Sequence, residues 1–190
     1  TVPPLLGFAY VVLGGVLPRI LESFTSQNQN STTDVNALKT TASTSTLRTR
    51  ALLAVTTTAM IIRLSEYLET HSVADHSSLV LLFSTALLQW AMLDRSSVAL
   101  LAATVTSIGG PISELPFVAH GFWEYLDSAA DYFPLQNAPP GNTVLEFVLN
   151  EDYQNLALSG ITGPCYFAVA TDAIALGRWF DLEKSINDEA

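Results

Sequence analysis

Long apolar blocks alternate with polar stretches along this chain, and the length of the blocks decides what they are. Residues 2–21 include Leu5, Leu6, Phe8, Val11, Val12, Leu13, Val16 and Leu17, with no charge before Arg19. That is enough for one membrane-spanning helix of about 20 residues. Pro3 and Pro4 suit a helix start, where a missing N–H costs nothing, and Pro18 bends or ends the last turn. Residues 23–47 turn to Ser, Thr, Asn and Gln, which cannot bury enough surface to fold alone and read as a polar loop. After Arg48 and Arg50, residues 51–62 open a second, shorter span; a helix continuing through Glu69 pairs Arg63 with Glu66 at the i,i+3 spacing. Residues 77–93 form the third block, closed by the polar turn Asp94-Arg95-Ser96-Ser97. Val98 starts the fourth, which meets Gly109, Gly110, Pro111 and Pro116. These residues predict a kinked or broken span with carbonyls freed at membrane depth. Residues 125–160 hold Pro134, Pro139, Pro140, Gly141 and most of the acids. They are too polar to span and too long for a tight turn, which makes them an acidic extramembrane excursion. Within it, Thr143 to Leu149 is apolar enough to lie along the membrane surface as a short amphipathic helix. Residues 161–180 make the fifth span. The pattern predicts an all-α, polytopic transmembrane bundle of about five spans, a single domain over residues 1–190.

Composition agrees with the blocks. Only 14% of the 190 residues are charged, where a soluble domain carries about 25%. A net charge of −10 with eight Lys and Arg excludes a phosphate-binding surface, and with it nucleic acid as a partner. The single cysteine, Cys165, excludes an internal disulfide framework and a Cys-based zinc site. His71 and His76 are five apart rather than four and have no further ligand nearby, so a surface loop is favoured over a metal site. There is no Gly-x-Ser-x-Gly, no His-Glu-x-x-His and no phosphate-cradling glycine loop. Binding or scaffolding is therefore the expected role, not catalysis.

The basic residues set the orientation. Arg19, Lys39, Arg48, Arg50, Arg95, Arg178 and Lys184 all fall on one face of the five-span arrangement, and Arg63 alone lies elsewhere. The opposite loops hold Glu66, Glu69, Asp75, Glu124, Asp127, Asp131, Glu146, Glu151 and Asp152. Retained loops carry the positive charge, so the tail beyond Phe180 is cytosolic or stromal and Thr1 lies across the membrane from Ala190.

Val2-Pro3-Pro4 followed by Gly7, the Trp90 to Leu93-Asp94-Arg95-Ser96 turn, Gly121, Pro164-Cys165-Tyr166-Phe167 and Gly177-Arg178 occur in one order, and in that order the chain resembles Insig (insulin-induced gene) proteins. The likeness runs over most of the chain and matches spans two to six of that fold, so that the family's first span is either missing here or lies upstream of Thr1. The longer excursion over 128–159 and the Gly109-Gly110-Pro111 sequence align it with a microbial or algal branch. The resemblance implies an endoplasmic reticulum protein that binds a sterol- or diacylglycerol-like lipid and a membrane-protein partner. It also implies that Asp94, with Arg95 beside it, belongs to a partner-linked turn.

Three further residues carry candidate chemistry. Glu114, between Pro111 and Pro116, and Asp172, in the middle of the last span, are acids at membrane depth and must face a cavity or a polar partner. They are expected to line one ligand pocket near the Gly-Gly-Pro kink; the competing reading gives Glu114 a structural role, capping freed carbonyls. His120, at a span boundary with Trp123 and Tyr125, is either an interfacial anchor or a ligand to a lipid head group or a pigment magnesium. The alternative to the lipid-binding protein is thus an accessory subunit of a photosynthetic thylakoid complex, holding chlorophyll or carotenoid.

Overall fold

The computed structural model describes residues 44–71, 75–149 and 152–188, together with Val12, Val16 and Ile20; the expected first span and most of the 23–47 loop lie outside the described residues. Among residues 44–188 the described elements are five α-helices, α1 (Thr44–Thr70), α2 (Asp75–Leu93), α3 (Ser97–Ala119), α4 (Thr143–Leu149) and α5 (Thr162–Asp188), with a short 3-10 turn at Tyr153–Asn155. Among the described residues there is no strand, only an isolated bridge between Tyr132 and Leu158. Three helices among the described residues are long and apolar enough to cross a membrane: α1 over Thr46–Thr70, α2 over His76–Leu93 and α3. Helix α1 begins at Thr44, so the last residues of the polar stretch are already helical.

Several hydroxyls inside these apolar helices are satisfied within their own helix. Thr56 and Thr57 donate to the carbonyls of Leu52 and Leu53 at 2.8 Å, which keeps hydroxyls paired where water is scarce. Buried Thr58 instead reaches across to the Ala168 carbonyl of α5 at 3.1 Å, and Gln89 of α2 donates to Thr58 Oγ1 at 2.8 Å and to the Ala54 carbonyl at 3.1 Å. Three helices are thereby joined by one polar layer.

Helix α5 is the axis of the bundle, packing against α1, α3 and α2. Its buried Ala168, Ala170, Ile174 and Ala175 pack in clusters with small residues of the neighbours: Ala51 and Ala54 of α1 and Ala99, Ala102 and Ala103 of α3. Such contacts let backbones approach closely where apolar burial gives little drive for association. A helix wrapped by protein has no need of an apolar exterior. This explains how α5 accommodates Asp172 and Arg178, and it is not among the helices apolar enough to cross a membrane by composition.

Helix α5 is antiparallel to both α1 and α3. Ile174 packs on Ala99 and Ala102, while Gly163 lies against Ser107; Ala175 meets Ala51 and Ala54, while Ala168 meets Thr58. One end of the bundle therefore gathers Arg48, over the Trp179 ring at 5.8 Å, and Arg178, ion-paired with Asp94. The other end holds Arg63 paired with Glu66 at 2.6 Å. The described cations segregate as the sequence pattern predicts.

The Gly109-Gly110-Pro111 sequence does not break α3, which runs without interruption through Pro111 and Pro116. Its residues serve packing instead. Pro111 offers no N–H to the Ser107 carbonyl four residues earlier, and a side chain at Gly163 would come within 3.2 Å of that oxygen. The missing Cβ lets α5 close over the exposed carbonyl.

The excursion is a folded cap on the end of α3. Leu149, Tyr153 and Leu158 bury against Leu115, with Val118, Ala119, Tyr125 and Leu135 around them. The Tyr132–Leu158 bridge is closed by bonds of 2.9 and 2.7 Å. Asp131 accepts from the Gly160 amide at 2.7 Å, and Asn142 caps α4 through Val144 and Leu145. Helix α4 has the boundaries its apolar run predicts.

Candidate functional site at the capped end of the bundle

Glu114 lies in the last turns of α3, below the cap. Its carboxylate is held from two sides: Tyr166 of α5 donates to Oε1 at 2.6 Å, and Tyr125, three residues beyond the Phe122 turn, donates to Oε2. Thr162 Oγ1 is 3.4 Å from the Tyr125 hydroxyl. An acid at this depth is costly unless it has donors, and two phenols supply them. Gly110 makes the arrangement fit, since a Cβ there would lie 2.5 Å from Tyr166 Cγ. Tyr166 projects back toward the N-terminus of α5, as helical side chains do, and so points at the C-terminal half of α3. Burial, then the bond to Glu114, holds the Tyr125 hydroxyl above its ordinary ionisation range.

Beside this cluster is a cleft of about 270 Å³ between the end of α1, the cap and the start of α5. Ser65 and Glu69 line one wall; Tyr125, Ser159, Thr162 and Cys165 line the other. It is open to the exterior and partly polar, with Tyr125 shared between cleft and cluster.

Asp172 does not join Glu114. It is fully buried and neighbours Ile174, which packs on Ala99 and Ala102. Glu114 is twelve residues further along α3 than Ala102, roughly 18 Å of helix. The shared pocket expected from the sequence is not present: α5 places its acid in the middle of the bundle, and α3 places Glu114 near the end. Asp172 lies on the stripe of α5 that carries Ala168 and Ala175, which faces α1.

His120 is the exposed C-cap of α3, its backbone N–H bonding the Pro116 carbonyl at 3.1 Å. Nothing encloses it. Among the described residues no three His, Cys, Asp or Glu side chains group to hold a metal, and His71 stacks on Tyr67 with ring centroids 3.9 Å apart.

The Asp94-Arg95 turn is not simply solvated. The Asp94 side chain is 3% exposed, paired with Arg178, and it accepts the Ser96 amide at 2.8 Å. Arg178 also donates to Ser96 Oγ at 2.9 Å, and Trp90 donates to the Ser96 carbonyl at 3.0 Å. Arg95 has φ +62° and points outward, in the left-handed region that an L residue enters at a cost. The pairing of Asp94 with Arg178 spans 84 residues, and the cluster at Glu114 reaches 11 and 52 residues away; no local spacing announces either.

Comparison with family models, curated proteins and solved structures finds no match to this chain.

Proposed function

We propose that the protein is a helical membrane protein of Insig-like type that binds a hydroxyl-bearing lipid at Glu114 and presents the Asp94-Arg95 turn to a membrane-protein partner. In this reading α5 crosses the membrane as well, shielded by the other helices. The observation that carries the proposal is the carboxylate of Glu114, held at the end of an apolar helix by two hydroxyl groups beside an open cleft. A carboxylate that accepts from phenols accepts equally from the hydroxyl of a diacylglycerol or sterol, and such charge-assisted bonds are among the strong ones.

The two phenols are not equivalent. Tyr166 is fixed on α5 and packed on Gly110, whereas Tyr125 comes from the non-helical segment after α3 and also lines the cleft. A lipid hydroxyl entering from the cleft takes the Tyr125 place at Oε2, with Thr162 as a second contact, while Tyr166 keeps Glu114 oriented. Nothing in this requires bond-making chemistry, so the role is binding. At the other end Asp94 is engaged within the chain, and Arg95 is the accessible residue of the pair.

The test is identification of what remains bound. Purification of the full chain in mild detergent, followed by solvent extraction and mass spectrometry, is expected to return one hydroxyl-bearing neutral lipid enriched over the bulk membrane. Recovery of lipids only in their bulk proportions, or of a stoichiometric pigment, contradicts it.

A further inference from the structure

Helix α4 has two faces, and both are apolar. Leu145 and Leu149 pack inward on the cap's core beside Leu115 and Tyr153. Val144, Phe147 and Val148, related by i, i+3 and i+4 and so on one face, point outward: Phe147 is 87% exposed and Val144 69%. A cap standing in water would put polar residues there. Large apolar groups are exposed beyond the end of α3 as well, where Phe122 is 72% exposed and Leu126 is exposed with it. Phe117 of α3 stacks on Trp123 with centroids 5.0 Å apart and contacts Phe122 edge-on. Aromatic groups at the end of a spanning helix mark the headgroup level of a bilayer, and α3, at 23 residues, is about 34 Å long, enough to place its last turn there.

We infer that the cap is an interfacial anchor, with Phe147 and Val144 of α4 and Phe122 and Leu126 after α3 immersed in the headgroup and upper acyl region of the bilayer. The occupant of this surface is a lipid layer because α4 packs through Leu149 on Leu115, near the end of α3, a helix apolar enough to cross the membrane. Charge identifies the lipid further. No Lys or Arg occurs between Arg95 and Arg178, while Glu124, Asp127, Asp131, Glu146 and Asp152 lie in the cap. Surfaces that recruit anionic lipids carry basic residues; this one repels them. The anchor therefore takes zwitterionic or uncharged headgroups, and attachment rests on apolar insertion alone. The inference deepens the lipid-binding reading, since an anchored cap sets the cleft beside Tyr125 at headgroup depth, where a hydroxyl-bearing lipid presents its polar end.

A nitroxide at position 147 tests it, introduced as Phe147→Cys with Cys165→Ser in the full chain, one copy per nanodisc. In phosphatidylcholine discs, collision with oxygen should exceed collision with a water-soluble nickel chelate at position 147, and a label at exposed Asp127 should show the reverse. Replacing half the lipid with phosphatidylglycerol should shift the label at position 147 toward the aqueous quencher. Aqueous accessibility at 147 equal to that at 127 in phosphatidylcholine overturns the anchor, as does protection from both quenchers, which signifies a protein contact. Deeper insertion with anionic lipid overturns the headgroup assignment. Depth is read whether or not a lipid co-purifies, so failure here and failure of the Glu114 site are separate results.

Discussion

Removing one member of the Asp94–Arg178 pair should cost more than a turn residue normally would. In Asp94→Ala the Arg178 guanidinium, with its side chain 28% exposed, loses its counter-charge, and the Ser96 amide loses its acceptor at 2.8 Å. Breaking a buried pair from one side costs about 3 to 5 kcal/mol, because a charge is left without compensation. The partial exposure of Arg178 allows water to recover some of this, so about 3 kcal/mol is the expected loss for Asp94→Ala, and somewhat more for Arg178→Ala, which leaves the 3% exposed Asp94 carboxylate without its counter-charge. The double variant leaves no orphan charge and should fall well short of the sum, with a coupling of about 1.5 kcal/mol or more. Reversible unfolding in mixed micelles, followed by helical circular dichroism, reads all four proteins. Loss in Asp94→Ala below about 0.5 kcal/mol, the scale of an ordinary surface substitution, would refute the structural role and return Asp94 to a solvated turn. Strict additivity in the double variant would do the same.

The Glu114 cluster gives two further expectations. Gly110→Ala drives a methyl into Tyr166 Cγ, near the root of that side chain, and should destabilise by about 1 to 3 kcal/mol as overpacking does; a wild-type unfolding midpoint in this variant would mean that α3 and α5 are further apart. The fold holds Tyr125 un-ionised beyond its ordinary value of 10.0, so above pH 10 the unfolded chain releases a proton that the folded chain keeps. Its contribution is complete below pH 10 and is lost at higher pH, and Tyr125→Phe should flatten the fall of the unfolding midpoint; an identical fall in both proteins would count against the buried phenol. For orientation, Asn30-Ser31-Thr32 should remain unmodified in a glycosylating host, because acceptors are used only on the lumenal side, and efficient glycosylation at Asn30 would reverse the topology.

Much of the helical framework was legible because hydrophobic blocks of span length have few other uses. The boundaries of α2, the α1 extension past Arg63 and the short helix at 143–149 follow from local composition and spacing. Of the kinked or broken span expected at Gly-Gly-Pro, the break is absent because a neighbouring helix uses the space these residues leave: Tyr166 fills the side of Gly110, and Gly163 admits the Ser107 carbonyl. The cost of an acid at depth draws attention to Glu114 in the sequence, and the structure supplies it with two donors; which residues those would be was not legible, since Tyr125 read as an interfacial anchor and Tyr166 as one residue of a resemblance motif. The pairing of Glu114 with Asp172 failed for a reason of register. Two antiparallel helices bring their acids together only when these lie at matching heights, and hydropathy carries no information on height. Asp94 shows the same limit, as Arg178 reaches it from the far end of the chain.

The most direct test of a lipid site at Glu114 is a comparison of lipid retained by the wild type and by Glu114→Leu after identical mild-detergent purification, quantified by mass spectrometry per mole of protein. Leucine preserves membrane insertion, being the better residue in hydrocarbon, and removes only the acceptor. A hydrogen bond to a charged group contributes about 1.5 kcal/mol or more, so the enriched hydroxyl-bearing lipid should fall about tenfold or further while bulk lipid stays constant. Equal retention of that lipid by a folded Glu114→Leu protein would contradict the account.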